Sequence, residues 1–353
     1  LRNMIIVMGA FALSRVLGLV RQMVFGYYFG AGEEMDAYVA AARIPELLFL
    51  VVAGGALGSA FIPVFTTRLT QGDTDGAWRL SSAIINLLIV IILPLSLLAI
   101  ALAPWLTRVL IAPQFSPELQ AQTTLLLRIM LLSPAIFGVS GILMGVLNAH
   151  QHFLIPALAP SIYNVVLILG AVWGGRSGAG ALGAAIATVV GALAHLLSQM
   201  LGLRLFPARY SLTFGRGDGA VRQVLVLMLP RMLGVAAVQF NFVITNSLAS
   251  GLGTGAVSVL NYAWNLMTLP QGIIAQAIGT TAFPTFSEQA ARRDFAALRA
   301  SVSEMLRMTS ALLFPSTVGL IVLGRPLIAL LLERGAFDTA STDAVAGALA
   351  FFA

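Results

Sequence analysis

Apolar runs of about twenty residues or more recur along the chain, and short polar segments separate them. A helix needs about 20 apolar residues to cross the hydrocarbon core of a bilayer. The pattern predicts spanning helices at 4–25, 37–65, 80–104, 122–147, 153–173, 179–203, 223–248, 256–284, 303–323 and from about 340 onward. We therefore expect an all-α polytopic membrane protein with about ten transmembrane helices in this chain.

The composition supports this class and excludes others. Hydrophobic residues make up 59% of the chain, charged residues make up 10%, and the mean hydropathy is +0.94. Soluble domains are about 45–50% apolar and about 25% charged. All 20 basic residues are arginine and they are dispersed, so we expect no nucleic-acid partner. The absence of cysteine excludes disulfides, thiolate catalysis and cysteine metal ligands.

The arginines between the predicted helices are distributed unevenly over the two sides of the membrane. With a cytoplasmic N-terminus, the cytoplasmic side holds Arg2, Arg68, Arg79, Arg204, Arg209, Arg216, Arg222, Arg292, Arg293 and Arg299. The opposite side then holds only Arg108, Arg176, Arg325 and Arg334. Because cytoplasmic loops carry an excess of basic residues, this distribution predicts a multi-pass protein whose N-terminus is cytoplasmic.

Three arginines lie inside the apolar runs of the first two predicted helices: Arg15, Arg21 and Arg43. An arginine at the centre of a spanning helix costs about 2.5–3.5 kcal/mol on insertion scales, so three of them are not expected to face lipid. They are expected to line a wet cavity, where guanidinium groups suit a phosphate ligand. The alternative is pairing with nearby acids: Glu33, Glu34, Asp36 and Glu46.

Three further arginines lie within or at the edges of later predicted helices. Arg231 follows Pro230 near the start of the seventh helix, and it faces the same choice between a cavity and a structural ion pair. Arg128 and Arg307 lie near helix ends, where we expect their side chains to extend toward the lipid headgroups.

The chain offers little that suggests catalysis or a metal. His150 and His152 flank Gln151 in a short turn and lack further ligands nearby in sequence, so a solvated turn is favoured. His195 lies on an apolar helix and is interpreted as a packing residue. The segment 178–183 has the glycine spacing of a dinucleotide loop, but no strand precedes it, so close helix packing is the better interpretation. We expect no enzymatic activity, no metal and no bound cofactor.

One internal repeat is visible. The sequence at 56–65 recurs at 277–286 with an Ala, a Gly, a Pro and the final Phe in register. An even number of predicted helices separates the copies, so the halves are interpreted as parallel repeats. This predicts an N-terminal six-helix lobe at 1–205, a cytoplasmic connection at 206–221 and a truncated second lobe at 222–353, arranged as two pseudo-symmetric lobes around a central cationic cavity.

Several motifs, spread over nearly the whole chain, together resemble the lipid II flippases of bacterial cell-wall synthesis. This family is the MurJ (MviN) type within the multidrug/oligosaccharidyl-lipid/polysaccharide exporter superfamily. The motifs are Ser14-Arg15-Val16-Leu17-Gly18-Leu19-Val20-Arg21, Phe29-Gly30-Ala31-Gly32, Asp36-Ala37, Arg43-Ile44-Pro45, Ala60-Phe61-Ile62-Pro63, Ser133-Pro134, Gly145-Val146-Leu147-Asn148-Ala149-His150, Pro156-Ala157-Leu158-Ala159-Pro160, Tyr163-Asn164 and Leu332-Glu333-Arg334-Gly335-Ala336-Phe337. Each is weak alone, and their combination is specific.

The resemblance implies a fold of about fourteen helices, so this chain would lack the last of them. It also implies that the substrate is lipid II, the undecaprenyl-pyrophosphate-linked disaccharide-pentapeptide. Alternating access would move lipid II from the cytoplasmic to the outer leaflet of the bacterial plasma (inner) membrane, with a coupling cation or the membrane potential as the energy source. Membrane lipids and cell-wall synthesis proteins are the further partners it implies. By position, Arg15, Arg21, Asp36 and Arg43 match charged positions of the family's cavity.

The chain departs from the family pattern at three places. Phe49-Leu50 stands where many members carry two arginines, Gly54 replaces an acid, and Asn265 replaces an arginine of the eighth helix. Asn265 and Arg231 complete the expected set of cavity residues. Arg231 can replace part of the lost positive charge. The losses leave open an exporter of another polyprenyl-linked glycan or an amphipathic substrate. A non-transporting membrane scaffold for cell-wall synthesis is the alternative from another class.

Overall fold

The computed structural model describes the backbone of residues 2–51 and 60–353, and their side chains except those of 2–6, 273, 275–281, 283 and 284. Within these residues the chain is helical and contains no strand. The helices are α1 (Arg2–Phe29), α2 (Glu33–Phe49), α3 (Ile62–Thr70), α4 (Thr74–Ala101), α5 (Ala103–Trp105), α6 (Pro117–Met130), α7 (Ser133–Ala149), α8 (Leu154–Ser177), α9 (Ala181–Leu203), α10 (Gly219–Ala249), α11 (Ala256–Ala291), α12 (Phe295–Leu332) and α13 (Thr339–Phe352). A π-helical segment, Leu106–Ile111, follows α5.

The all-α membrane fold predicted from the apolar runs is confirmed. Seven helical stretches of the described chain are long and apolar enough to cross a bilayer: Val7–Phe29, Thr74–Ala101, Pro117–Ala149, Leu154–Ser177, Ala181–Leu203, Gly219–Ala249 and Phe295–Leu332. The prediction at 37–65 falls on α2 and α3, and residues 52–59 between them lie outside the described part. The prediction at 122–147 falls on α6 and α7, which a short turn separates. Pro134 at the start of α7 explains this break, because proline has no N–H and disfavours helix in the residue before it.

The described chain forms two compact units, Leu1–Val257 and Ser258–Ala353. Helix α10 therefore packs with the first unit. Its residues Val221, Val224 and Met228 are buried in the same apolar core as side chains of α3, α4 and α7. The predicted lobe boundaries at 205 and 222 describe sequence repeats rather than packing, and they stay a prediction. The repeat itself lies largely outside the described residues, which exclude 56–59 and most side chains of 277–284.

The first unit has two ends, at which different loops meet. At one end, which we call the Gly255 end, the loop after α10 meets the start of α2, and the Gly255 N–H donates to the Asp36 carboxylate at 2.6 Å. At the other, the connector end, the residues between α9 and α10 meet α4, and Arg209 approaches Asp75 at 3.3 Å. Successive long helices therefore run between the two ends, as expected for a chain that crosses a membrane repeatedly.

Small residues bring α8 and α9 together. A Cβ atom added to Gly170 or Gly174 of α8 would collide with α9, and one added to Gly183 would collide with the backbone of α8. Close approach through glycine is common between membrane helices, because dispersion contacts replace the hydrophobic effect there. The structure thus supports the packing interpretation at Gly183, while Gly178 and Gly180 have positive φ values of 77° and 56° in the turn between the two helices.

The second unit contains α11, α12 and α13. Tyr262 of α11 packs edge-on against Phe337, with ring centroids 5.4 Å apart. The Glu333 carboxylate accepts hydrogen bonds from the Thr339 and Thr342 hydroxyls, both at 2.9 Å. These contacts order the turn between α12 and α13.

Candidate functional site

Arg21 lies on the face of α1 that packs against α8. Its Nη1 donates to Oδ1 of Asn164 at 3.1 Å, and Nδ2 of Asn164 reaches the Ser14 carbonyl at 3.4 Å. A neutral amide therefore orients the guanidinium of Arg21 and leaves its positive charge in place. The sequence contains Asn164 within a family motif, but spacing alone does not reveal this partner, which is 143 positions away.

Arg43 lies on α2 and is mostly buried, with 15% of its side chain exposed. It approaches Oε2 of Glu46 at 3.4 Å, and its guanidinium carbon lies 5.6 Å from the centre of the Phe242 ring on α10. Nε of Arg43 is buried without a hydrogen-bond partner among the described residues. Arg43 is therefore paired with an acid, as the alternative interpretation predicts, but the ion pair is weak because the contact is long and 49% of the Glu46 side chain is exposed.

Tyr38 connects these two arginine sites. Its hydroxyl lies 3.2 Å from Oγ1 of Thr188 on α9, and the charges of both Arg21 and Glu46 reach it. Polar side-chain contacts thus join α1 to α8 and α2 to α9 in the first unit, and Arg43 meets the Phe242 ring of α10. Tyr38 and Thr188 were not predicted as site residues, because a single hydroxyl on an apolar helix gives no signal in sequence.

Arg15 and Arg231 are exposed on the surface of the described structure, on α1 and α10 respectively. Arg15 forms no ion pair within the described residues, so the acid-pairing alternative finds no support at this position. The cavity roles of Arg15 and Arg231 stay predictions.

Asp36 is fully buried at the start of α2. Its carboxylate accepts from the Gly255 N–H, and Gly255 has a positive φ of 88° in a position where a Cβ would collide with the Ala31 carbonyl. Glycine is required there for both reasons. The observed contact of Asp36 is thus with backbone at the Gly255 end, and its predicted role in substrate binding remains untested.

The departures from the family pattern have distinct surroundings. Phe49 packs against Phe137 of α7 with ring centroids 5.4 Å apart. Asn265 belongs to the second unit, where its Nδ2 donates to the carbonyl and to Oδ1 of Asn261 at 2.8 and 3.0 Å. Gly54 lies outside the described residues. The structure therefore places Arg21 and Arg43 in the first unit, while Asn265 is described by its local contacts alone.

His150 and His195 pack against neighbouring side chains. His150 lies in an aromatic cluster with Phe206, at 4.3 Å between ring centroids, and with Trp78, at 5.9 Å. Nδ1 of His195 lies 2.6 Å from Oγ of Ser140. No group of three or more metal-ligating side chains occurs in the part of the chain that the structure describes.

Two attachments fasten the ends of α10 to the rest of the first unit. At the connector end, Nη2 of Arg68 contacts Oδ1 of Asp218 at 2.5 Å, and Asp218 also accepts from the Ala220 N–H at 2.9 Å. At the Gly255 end, Nδ2 of Asn246 donates to the Ile111 carbonyl at 3.0 Å. Burial raises the pKa of Asp218, but the hydrogen bonds and positive charge around it outweigh burial and hold the pKa below its usual value.

These observations define a class: a polytopic helical membrane protein in which a neutral amide orients an arginine inside the first spanning helix. The sequence profile described as "Lipid II flippase MurJ" matches residues 25–353. The lipid II flippase MurJ of Burkholderia cenocepacia is 33% identical over 363 residues, covering 99% of this chain and 69% of that protein. A probable lipid II flippase MurJ of Rhizobium tropici is 28% identical, covering 99% of this chain and 67% of its own length. The chain therefore belongs to the MurJ lipid II flippase family.

Solved structures agree with this assignment. A lipid II flippase MurJ in an inward closed conformation matches with a TM-score of 0.82 and 27% identity, covering 98% of this chain and 71% of that one. An inward-facing multidrug resistance MATE family transporter matches with a TM-score of 0.75 at 16% identity, which shows a shared fold. The chain spans about two thirds of the length of its curated relatives. It is a membrane-embedded member of a transporter family and not of an enzyme family.

Proposed function

We propose that the protein, in its full-length form, flips lipid II from the cytoplasmic to the outer leaflet of the bacterial plasma membrane. The observation that carries this proposal is the state of Arg21, a charged guanidinium inside a spanning helix that a neutral amide orients. Leaving such a charge uncompensated is costly in a membrane, and an anionic substrate is the partner that offsets the cost. Family membership gives that anion its identity, the pyrophosphate of lipid II.

Arg21 and Arg43 of the first unit have different roles in binding the substrate. Arg21 presents donors that Asn164 keeps in one orientation, so little conformational entropy is lost when a phosphate binds. Arg43 exchanges its long contact with Glu46 for the substrate, because charge-assisted hydrogen bonds to phosphate are shorter and stronger. A pyrophosphate does not cross hydrocarbon unaided. The arginines replace its water while the polyprenyl chain stays in the lipid.

The proposed orientation has a cytoplasmic N-terminus, which places the connector end in the cytoplasm and the Gly255 end outside. The distribution of arginines between the loops supports this orientation. Alternating access then requires the attachments at the two ends to open in turn. The membrane potential, worth about 2.3 kcal/mol per charge per 100 mV, or a coupling cation supplies the energy. We propose partners among cell-wall synthesis proteins on the basis of the family alone.

A second candidate is the export of another polyprenyl-linked glycan or an amphipathic substrate on the same fold. Phe49 favours it, since a position that carries a cation in many relatives is here packed against Phe137. The two candidates share the requirement for Arg21 and differ in the substrate. A scaffold that does not transport has no need of a charged Arg21 within the membrane.

Complementation distinguishes these candidates. The full-length protein, expressed in bacteria depleted of their own lipid II flippase, is expected to restore growth and the appearance of lipid II in the outer leaflet. Arg21→Ala is expected to abolish both, because an isolated helix-interior cation is lost from the binding region. Arg128→Ala is the matched control, since that side chain is exposed and donates to the Ile100 carbonyl at 3.4 Å.

The results separate the alternatives. Rescue by the intact protein and by Arg128→Ala, with failure of a membrane-inserted Arg21→Ala, supports lipid II flipping. Failure of the intact protein despite normal insertion favours export of another substrate. Full rescue by Arg21→Ala contradicts the proposed role of Arg21, whereas a scaffold that does not transport would fail to rescue even as the intact protein.

A further inference from the structure

The residues between α9 and α10 contain a segment without helix or strand, 209–216, that we call the strap. Side chains of α4 bind its backbone: Nδ2 of Asn86 donates to the carbonyls of Ser211 and Thr213 at 3.2 and 2.8 Å. The Ser211 N–H donates to Oγ of Ser82 at 3.1 Å, and the Tyr210 hydroxyl donates to Oδ1 of Asn86 at 2.6 Å. Because both sides of the buried Asn86 amide are used, the strap is a fixed element of the fold.

The strap follows α4 from its charged first turns into its apolar part. Arg209 lies at Asp75, in the first turn of α4, whereas Thr213 lies at Asn86. At a rise of 1.5 Å per residue, these two points of α4 are about 16 Å apart. Arg79 is the last charged residue of α4, so Asn86 already lies within the apolar run that crosses the membrane. The middle of the strap is therefore level with the boundary between headgroups and hydrocarbon.

The strap turns large apolar side chains outward. Leu212 and Phe214 are 82% and 41% exposed, and they alternate with Ser211 and Thr213, whose backbone faces α4. The Tyr210 hydroxyl contacts Asn86, but 65% of the residue is still exposed. The Ser211 and Thr213 carbonyls both point to Asn86, and the Thr213 N–H donates to the Ser211 carbonyl at 2.9 Å, so the backbone turns around Leu212 and leaves its side chain outside. Exposure on this scale is unusual for a polar loop in water and is typical of residues at a membrane interface.

Positive charge flanks these side chains. Arg209 and Arg216 stand at the two ends of the strap, and both are exposed. The Arg209 contact with Asp75 joins two side chains that are 75% and 70% exposed, so it is weak and readily exchanged. The strap therefore combines exposed apolar side chains with exchangeable cations, a combination that complements an anionic lipid surface.

We propose that the strap is a membrane-interface anchor that binds the anionic leaflet at the connector end. Leu212 and Phe214 insert at the headgroup boundary, and Arg209 and Arg216 bind lipid phosphates. Continuity with the spanning helices favours lipid over a protein partner, because α9 ends at Leu203 and α10 begins at Gly219, so both helices enter the same leaflet beside the strap. The anchor holds the first turn of α10 at the membrane surface. This proposal concerns the lipid contact and does not depend on which substrate is flipped.

Fluorescence quenching tests the anchor. The absence of cysteine from this chain permits single-site labelling, with any cysteine of the remaining full-length sequence replaced by serine. An environment-sensitive NBD probe is attached at Leu212→Cys or, as a control, at Gln71→Cys, an exposed loop position at the same end. The proteins are reconstituted in vesicles of phosphatidylglycerol and phosphatidylethanolamine, or of phosphatidylcholine alone. Lipids spin-labelled near the headgroup and aqueous iodide are the two quenchers.

The probe at position 212 is expected to be quenched by the spin-labelled lipid and protected from iodide, while the probe at 71 shows the reverse. Replacing Arg209 and Arg216 by Gln is expected to lower the ratio of inserted to free strap about fivefold per arginine in the anionic vesicles. The same change at Arg108 and Arg176, exposed arginines at the other end, is the charge-matched control.

Three results would overturn the proposal. Iodide quenching of the 212 probe equal to that of the 71 probe would place the strap in water. Protection of the 212 probe from both quenchers would show that protein covers it. If Arg209→Gln and Arg216→Gln leave the inserted fraction unchanged in anionic vesicles, the proposed contacts between these arginines and lipid phosphates are wrong. Since none of these measurements requires transport, failure of the anchor and failure of lipid II flipping are observed separately.

Discussion

The two ends of α10 are attached to the first unit by different interactions. At the connector end, Val221, Val224 and Met228 are buried in an apolar core, and the Arg68–Asp218 ion pair lies beside them. At the Gly255 end, the attachments pair polar side chains with the backbone: Asn246 with the Ile111 carbonyl, and Asp36 with the Gly255 N–H. One helix is thus held by packing at one end and by directional hydrogen bonds at the other.

This difference indicates which end separates more readily. Packing contacts are numerous and weak, so a small displacement loses only part of them. Hydrogen bonds weaken steeply once their distance and angle change, and the exposed groups then bind water instead. If access alternates, we expect the Gly255 end to open with less rearrangement of the core than the connector end.

The largest effect on this comparison is expected from Asp36→Ala. The substitution removes the charged acceptor of the Gly255 N–H, and a hydrogen bond to a charged group contributes about 1.5–3 kcal/mol. Because Asp36 is fully buried, we expect a loss near 3 kcal/mol in the free energy of unfolding, measured by SDS titration in mixed micelles. Glu33→Ala, at an exposed position of the same first turn, is the charge-matched control. Equal stability of the two variants would show that Asp36 does not fasten this end.

The corresponding change at the connector end is Met228→Ala. Met228 is 5% exposed, and removing a large core side chain costs about 2–5 kcal/mol in soluble proteins. We expect about 2 kcal/mol by the same titration, because lipid is as apolar as the core and only the cavity cost remains. Leu229→Ala changes the next residue, which is 62% exposed, and should alter stability little. A loss at Met228 no larger than at Leu229 would argue against packing as the main attachment here.

A smaller effect is expected from Asn246→Ala at the Gly255 end. The side chain is buried, and its amide donates to the Ile111 carbonyl, while Oδ1 has no hydrogen-bond partner among the described residues. Loss of one neutral hydrogen bond costs about 1 kcal/mol. Asn241→Ala, at an exposed position of the same helix, is the control. Faster labelling of a cysteine placed at Ala249, which is 2% exposed at the end of α10, by a water-soluble maleimide would show that this end opens more often, and unchanged labelling would contradict it.

Much of this architecture was predictable from the sequence. The apolar runs placed the helices, since the length needed to cross a bilayer is set by its thickness. The Arg43–Glu46 contact also follows from local spacing, because residues three apart share a helix face. The contact between Arg21 and Asn164 does not follow from local spacing, because packing over the whole bundle decides the rotation of α8 against α1.

The placement of α10 was less accessible. The first turns of α10 are buried against α3, α4 and α7, a contact that the sequence repeat does not address. An apolar face in a sequence shows that the helix packs against something, but it does not identify the surface that the helix contacts. The arginines of the strap predict a polar connection, while the outward positions of Leu212 and Phe214 become evident only from the contacts by which Asn86 fixes the backbone.

The smallest expected effect concerns pH at the connector end. The pKa of Asp218 is lower in the folded protein than its usual value, so its ionised form stabilises the fold above about pH 4. This contribution is lost as the pH falls through the folded-state pKa. Both partners of the ion pair are partly exposed, at 18% for Arg68 and 24% for Asp218, so we expect less than about 1 kcal/mol.

Asp218→Asn isolates the charge, because asparagine also caps a helix N-terminus. The stability difference between the unmodified protein and Asp218→Asn should be present at pH 7, shrink below about pH 4, and decrease at high salt. A difference that stays constant from pH 7 to pH 3 would show that the carboxylate acts as a cap alone. The connector end would then be held by apolar packing without an electrostatic part, and its contrast with the Gly255 end would be complete.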